Sequence, residues 1–120
     1  MKNENNLVYV KSIDFSVRIV NLSKYLCSHN EFIIANQILR CGTSIGANTA
    51  ESQEAQSKAD FIAKLYISLK EARETEYWII ILNKTDYISS SQRDSLMKDL
   101  NEIISLLTAI ILSTKNKIHS

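Results

Sequence analysis

The sequence predicts an all-α protein, an antiparallel up-down-up-down four-helix bundle. The 120 residues contain no proline and only two glycines, and tight turns and β-hairpins depend on those residue types. Apolar residues recur in four segments at steps of three and four residues, the spacing of one face of an α-helix. Short polar links between the segments favour neighbouring helices that run in opposite directions. A chain of this length has room for one core, so we expect a single domain over residues 1–120.

The first two predicted helices span roughly residues 9–28 and 31–54. The first has an apolar repeat at helical spacing, made of Phe15, Ile19, Leu22 and Leu26, with Ile13, Val17 and Val20 widening that face. The second repeats the pattern with Ile34, Ile38, Cys41 and Ile45. Ser28 stands three residues before Glu31, which is the spacing of an N-terminal capping box, so the second helix is predicted to begin there.

The third and fourth predicted helices span roughly residues 58–83 and 91–115. The apolar positions of the third are occupied by Phe61, Leu65, Ser68, Ala72, Thr75, Ile79 and Leu82. Those of the fourth are Leu96, Leu100, Ile103, Leu107 and Ile110. Ser57 with Asp60, and Ser91 with Asp94, repeat the spacing of the capping box at the start of each pattern.

The two glycines, Gly42 and Gly46, lie four residues apart inside the second helical repeat. Each costs a helix about 1 kcal/mol relative to alanine, and close approach of another backbone is the usual reason for accepting that cost. Together with Ala50 they line one face with minimal side chains. We therefore predict that residues 31–55 form a continuous helix whose small-residue face packs closely against a neighbouring helix.

Polar side chains accompany this small-residue face. They are Gln37, Arg40, Ser44, Asn48 and Glu51. Asn48 stands at the edge of the apolar stripe, where a partly buried amide needs hydrogen-bond partners. We interpret these residues, with Gly42 and Gly46, as a helix-packing and polar network that determines the register of the helices. A subunit contact and a ligand pocket are the alternatives.

Two linked segments resemble a known family. The segments QILR (37–40), SI (44–45) and NTAE (48–51) resemble the Q-x-x-R…S-I-x-x-N-x-A-E signature of the four-helix-bundle, or 23S rRNA intervening-sequence, proteins. The segments DF (60–61) and SLKEARETE (68–76) are similar to the third-helix pattern of that family, and the resemblance covers about residues 13–112. It implies an antiparallel four-helix bundle, no established activity for most members, and ring-shaped pentamers in some relatives. A related branch, the accessory variability determinant of diversity-generating retroelements, is a basic pentamer that binds nucleic acid and a reverse transcriptase.

The residues predict no enzyme, cofactor or metal site. A di-metal site in a helical bundle needs Glu-x-x-His pairs, but the residues three before His29 and His119 are Leu26 and Asn116. Ser44 has no histidine within its helix to activate it. The sequence also contains no glycine-rich phosphate loop and no nucleophile elbow, and we identify no small-molecule substrate.

The predicted location is the cytoplasm, without a membrane partner. The first residues are polar and do not resemble a signal peptide. The longest dense apolar segment, residues 103–112, is shorter than the roughly 20 residues of a membrane-spanning helix. We therefore expect Cys27 and Cys41 to be reduced, core-type side chains, since they also lack the CxxC spacing of a redox pair.

Self-association is the preferred functional prediction. Residues 77–82 are apolar around more than a full helical turn, and a helix that is apolar on all sides is covered on more than one of them. The candidates for an oligomer interface are Tyr77, Trp78, Ile81, Ile104 and Ile111. The alternative is that the broad core faces of a small bundle absorb these residues.

Nucleic-acid binding is the second functional hypothesis. A net charge of +1, from 14 basic and 13 acidic side chains, argues against a strongly basic RNA- or DNA-binding protein. Lys11, Arg18 and Lys24 nevertheless share a flank of the first helix, and Lys115 and Lys117 lie in the tail. Repeated around a ring, such a stripe can hold a polyanion, although solvated surface is the simpler interpretation. The sequence thus predicts a non-enzymatic, homo-oligomeric scaffold or binding protein, with nucleic-acid binding as the alternative.

Overall fold

The structure is a computed structural model that describes the backbone of residues 3–119 and the side chains of residues 7–117. Within that range the chain forms four α-helices and no strand: α1 (Asn3–Ser28), α2 (Phe32–Ser52), α3 (Lys58–Lys84) and α4 (Ser90–His119). α1 begins earlier and α4 ends later than predicted, because no glycine or proline stands there to stop either helix. Among these residues, no helix has both the length and the hydropathy of a membrane-spanning segment.

The four helices form an antiparallel bundle. α1 and α3 each pack against both α2 and α4. Between α1 and α2, Ile19 lies against Gly42 and Ser12 against Gly46, so residue numbers rise along one helix and fall along the other. The other neighbouring helices show the same order in the pairs Cys41–Thr75 and Ile45–Ser68, Tyr66–Lys115 and Asn83–Arg93, and Lys11–Glu102 and Arg18–Asp99. The up-down-up-down arrangement is therefore confirmed, in a body 51 × 23 × 20 Å in extent.

The core follows the four predicted apolar repeats. The largest fully buried side chains are Phe15, Ile19, Leu26, Ile38, Ile45, Leu65, Ile79, Leu82, Leu100, Ile103, Leu107 and Val8. Every one except Val8 belongs to a repeat recognised in the sequence. Leu22, Ile34 and Phe61 are only partly buried and pack at the edge of this core. Burying a side chain of this size contributes about 1.5–3 kcal/mol, so this shared interior is the main stabilising feature of the bundle.

The link between α1 and α2 differs from the predicted capping box. Ser28 is still part of α1, which is closed by Asn30 in the left-handed conformation (φ 62°). The cap of α2 is Glu31, whose Oε1 accepts a hydrogen bond from the backbone N–H of Ile34 at 3.0 Å. The prediction that Ser28 caps the second helix is wrong, because the helix begins one turn after that serine.

The caps of α3 and α4 are serines, one of them at a different position from the prediction. Ser57 caps α3 as expected, its Oγ accepting from the N–H of Asp60 at 3.0 Å. At α4 the reciprocal pair is Ser89 and Gln92, with Gln92 N–H donating to Ser89 Oγ at 3.1 Å and Ser89 N–H donating to Gln92 Oε1 at 2.8 Å. Ser91, the serine predicted to cap this helix, lies exposed in its first turn.

We expect Ser89→Ala to lower the free energy of unfolding by about 1 kcal/mol, because it leaves the Gln92 N–H without its capping partner. Ser91→Ala removes an exposed hydroxyl of the same helix and should change that free energy by less than about 0.5 kcal/mol. Urea denaturation of both variants measures the difference. Equal losses would contradict the placement of the cap at Ser89.

Candidate functional site

The small-residue face of α2 lies against α1. Gly42 and Gly46 are buried within a helix that continues to Ser52. A Cβ added at Gly42 would stand 2.8 Å from both Cγ1 and Cγ2 of Ile19, and one at Gly46 would stand 3.0 Å from Oγ of Ser12. α1 therefore comes closer to α2 than a β-carbon at position 42 would permit. The predicted close packing of a helix that continues through both glycines is confirmed, although the helix ends at Ser52 and not at residue 55.

Arg40 joins α2 to α3 through two carboxylates. Its Nη1 donates to Oε2 of Glu71 at 3.1 Å, and its Nη2 donates to Oε2 of Glu74. The indole N–H of Trp78 donates to the same Glu74 oxygen at 3.3 Å. The hydrogen bond from Arg40 lowers the pKa of the Glu74 carboxyl, and the same bond raises the pKa of Arg40. Because the guanidinium is half-exposed, the cluster contributes about 1 kcal/mol at most, and its main effect is on register.

The other predicted members of the polar network divide into two groups. Ser44 Oγ and Asn48 Nδ2 each donate to the backbone carbonyl one turn earlier in α2, so these side chains do not join helices. Gln37 is exposed. Glu51 pairs with α3, since its Oε2 lies 3.4 Å from Nζ of Lys64. The network interpretation therefore holds for Arg40 and Glu51 only.

Buried hydroxyls form a second link between α2 and α3 that the sequence did not reveal. The hydroxyls of Thr49 and Ser68 lie 3.1 Å apart, and Ser68 Oγ donates to the carbonyl of Ile45 at 2.9 Å. Nearer the other end of α2, Thr75 Oγ1 donates to Sγ of Cys41 at 3.3 Å. The sequence feature that could have predicted these pairs is a hydroxyl residue at a core position of α2 opposite another at a core position of α3. They align α2 with α3 inside the core, since misaligned hydroxyls would lose their partners.

Burial raises the pKa of the Cys41 thiol to about 11, with the hydrogen bond from Thr75 opposing the shift. Both cysteines are free thiols, and Cys27 is only partly buried. We therefore expect a thiol reagent at pH 8 to label Cys27 in the folded protein and Cys41 only after unfolding. At that pH about one Cys41 side chain in a thousand is a thiolate, the reactive form. Rapid labelling of folded Cys27→Ser would contradict the burial of Cys41.

The five predicted interface residues lie in different surroundings. The prediction that Ile104 and Ile111 lie on an outer surface is wrong, because they are 7% and 3% exposed and belong to the core. The apolar face of α4 is broad enough to include them, which is the alternative stated above. Trp78 and Ile81 are half-buried. Only Tyr77 is well exposed, at 55%.

The outer face of α1 carries the longest series of exposed apolar side chains among the described residues. Val10, Ile13 and Val17 are 46%, 44% and 57% exposed. Ile13 and Val17 therefore do not widen the core face as expected. At 100° per residue they fall on the side of α1 opposite Phe15 and Ile19, which are buried. α1 is consequently apolar on its inner and its outer side.

The predicted basic stripe of α1 is largely neutralised by α4. Lys11 Nζ lies 2.9 Å from Oε2 of Glu102, and Arg18 Nη1 lies 2.6 Å from Oδ2 of Asp99. The hydrogen bond to Glu102 is the main cause that raises the pKa of Lys11. Lys24 is exposed. Two of the three stripe residues thus act in packing α1 against α4.

The basic residues of the tail lie near the start of α3. Lys115 Nζ stands 4.9 Å from the ring centroid of Tyr66 and donates to the hydroxyl of that tyrosine. Lys117 is exposed. Because the helices are antiparallel, these lysines and Lys24 lie at opposite ends of the bundle. A single subunit therefore does not gather the predicted basic residues into one patch.

Comparisons with known proteins place these features in a family context. The model of the family described as 23S rRNA-intervening sequence protein matches residues 4–109. The chain is also similar to a crystal structure at 1.70 Å of a protein with unknown function from the S23 ribosomal protein family of Bacteroides thetaiotaomicron VPI-5482. Their sequences are 54% identical, the match covers 90% of this chain and 97% of that one, and the TM-score is 0.88. No curated protein matches the chain.

Proposed function

Because the chain belongs to the 23S rRNA-intervening sequence protein family, as its 37–51 segment suggested, we propose that it is a non-enzymatic, homo-oligomeric scaffold or binding protein of the cytoplasm. The similar protein of known structure is itself of unknown function. The argument for a role must therefore come from the surface of this bundle. A ring of five copies, implied by the resemblance, is the assembly that we propose.

The observation that carries the proposal is the apolar outer face of α1. Val10, Ile13 and Val17 each leave about half of their surface in water. Covering them would contribute roughly 1 kcal/mol each, since fully burying such a side chain contributes about 1.5–3 kcal/mol. A helix that is apolar on two opposite sides is normally covered on both, and the bundle covers only one. Self-association supplies the second cover.

Two further observations support a scaffold rather than an enzyme. The polar groups between α2 and α3 hold these helices together: the buried Ser68 hydroxyl binds the Ile45 carbonyl, and the half-exposed Arg40 joins two glutamates of α3. The buried Cys41 thiol, whose pKa is raised to about 11, is poorly suited to act as a nucleophile.

Light scattering across a dilution series tests the proposal. The chain has a mass of 13.6 kDa, and a ring of five gives five times that value. We expect a mass several times that of one chain at micromolar concentration, with dissociation only on further dilution. A monomer at micromolar concentration would refute the proposed self-association.

Nucleic-acid binding is the second candidate. It is supported by the exposure of Lys24 and Lys117, which repetition in a ring would multiply. Lys11 and Arg18 are already paired with carboxylates of α4, which leaves fewer basic side chains to contact phosphates. The candidate predicts an electrophoretic shift of RNA or DNA at low salt that weakens steeply as salt is added. No shift at low salt would remove it.

A further inference from the structure

We infer that the outer flanks of α1 and α2 together form the surface that binds a second copy of this chain. This surface, called here the α1–α2 face, is made by Ile13, Val17 and Val20 of α1 and by Leu39, Thr43 and Ala47 of α2. The inference rests on the proposed self-association and names the surface responsible for it. It also replaces the third- and fourth-helix surfaces that the sequence suggested.

The close contact between α1 and α2 determines which residues share this face. Ile19 lies against Gly42. Val20 follows Ile19 and Thr43 follows Gly42, so each lies 100° further around its helix and outside the contact. Because the helices are antiparallel, this rotation places Val20 and Thr43 on the same side of the bundle. The contact of Ser12 with Gly46 places Ile13 and Ala47 on that side in the same way.

The α1–α2 face is almost free of charge, although charged residues make up 22% of the chain. Along α1, positions 13, 17 and 20 are Val or Ile, and only Lys24 at the next step is charged. Along α2, positions 36, 39, 43, 47 and 50 carry no charge. Ile13, Val17 and Val20 also line a shallow groove on this side.

The ion pairs that join helices lie on the two adjoining sides of the bundle. Arg40 pairs across the α2–α3 boundary. Lys11 and Arg18 pair across the α1–α4 boundary. The α1–α2 boundary is instead closed by direct contact at the glycines, without ion pairs among the described residues. This close approach brings the two apolar flanks together as one continuous surface.

The side of the bundle that carries the α1–α2 face has room for a protein interface. The bundle is 20–23 Å wide. α2 has 21 residues. At 1.5 Å per residue its length is about 32 Å, so the whole side of the bundle that carries the face has a projected area of roughly 640 Å². Each partner of a standard interface buries about 800 Å² of accessible surface, which exceeds projected area because side chains make a protein surface uneven, so this side has room for an interface around the apolar face.

The low charge of the α1–α2 face favours a protein partner over a nucleic acid or a membrane. A polyanion requires many basic contacts, and a membrane surface binds amphipathic helices that are rich in Lys and Arg, whereas this face offers Lys24 alone. An apolar surface on a side of the bundle with room for an interface suits another protein surface. A second copy of this chain is the partner that is present wherever the chain itself is. In the proposed ring of five, each face meets a different surface of the next copy, whereas a mass of two chains would mean that two faces pair around a two-fold axis.

The experiment compares Ile13→Glu with Ile67→Glu. Ile13 and Ile67 are 44% and 42% exposed, so a glutamate should disturb folding equally little at both positions. We expect Ile13→Glu to raise the dissociation constant of the assembly at least tenfold, toward the 13.6 kDa monomer. Ile67→Glu, on the outer side of α3, should keep the wild-type mass. Light scattering at matched concentrations gives the masses, and circular dichroism confirms that both variants are folded.

A second matched pair tests the α2 half of the face. Ala47 and Ala63 are both exposed small residues, on α2 and α3 respectively. Ala47→Glu should weaken the assembly at least tenfold and Ala63→Glu should not. An assembled wild type with unaffected Ile13→Glu and Ala47→Glu variants would overturn this inference alone, as would an equal loss in the α3 controls. A wild type that is monomeric throughout would overturn the proposed self-association as well.

Discussion

Replacing Gly42 with valine is expected to lower the free energy of unfolding by about 3 kcal/mol, at the upper end of the usual cost of overpacking a core. A Cβ at position 42 would stand 2.8 Å from Cγ1 and Cγ2 of Ile19 and 3.3 Å from its Cβ. Ile19 is fully buried and β-branched, so it has few rotamers with which to move aside. Valine forms helix slightly better than glycine, which offsets only a few tenths of a kcal/mol.

A double-mutant cycle separates this steric effect from a general loss of helix stability. Ile19→Ala alone should cost about 2–5 kcal/mol, because it leaves a cavity. In the Ile19→Ala background, Gly42→Val fills the vacated space, so we expect a coupling of about 2 kcal/mol between the two sites. Ala63→Val, on the exposed side of α3, is the control and should change stability by less than about 0.5 kcal/mol. If Gly42→Val were as stable as the wild type, α1 could not lie as near to α2 as the structure has it.

Ile111→Ala is expected to lower the free energy of unfolding by about 3 kcal/mol, since large-to-small changes of this kind in a core cost about 2–5 kcal/mol. Ile111 is 3% exposed and belongs to the core. Its neighbour Leu112 is 55% exposed. Leu112→Ala removes a similar volume from the same turn of α4 and should change stability by less than about 0.5 kcal/mol.

Chemical denaturation at several protein concentrations measures the stability of both variants, because any contribution from subunit association would make the midpoint depend on concentration. The loss in Ile111→Ala should be the same at every concentration, because Ile111 lies in the core of the single chain. A loss that vanished on dilution would mean that Ile111 lies in a subunit contact, as the sequence first suggested. The same measurement on Leu112→Ala shows how much a change in this turn of α4 contributes by itself.

The helices and the core were predictable because both depend on local periodicity. Phe15, Ile38, Leu65 and Leu100 recur with other apolar residues at the period of the α-helix, and each is buried. Glycine inside a helical repeat has few explanations besides close packing, so the small-residue face of α2 was also predictable. The family followed from short linked segments in α2 and α3, which the comparison over residues 4–109 confirmed.

The burial of apolar residues beside the main stripes and the partners of polar residues were not predictable, because both depend on how neighbouring helices are rotated and aligned. Periodicity gives the angle of each side chain around its own axis but does not say which angles the neighbours cover. Ile13 and Ile111 were therefore both misplaced, one on the core side of α1 and the other on the surface of α4. Likewise, Lys11 and Glu102 form an ion pair only because they lie at the same level along the bundle axis in adjacent helices, which the sequence does not show.

The amino-acid sequence by itself determined four helices, their antiparallel order and the stripe that each buries, because these follow from patterns within a few turns of one chain segment. Only the tertiary structure decided that α1 presents a second apolar side to water. It also decided that the charged residues pair across the α2–α3 and α1–α4 boundaries. The physical reason is that burial and pairing belong to the spaces between helices, and the close contact at Gly42 and Gly46 determines the space between α1 and α2.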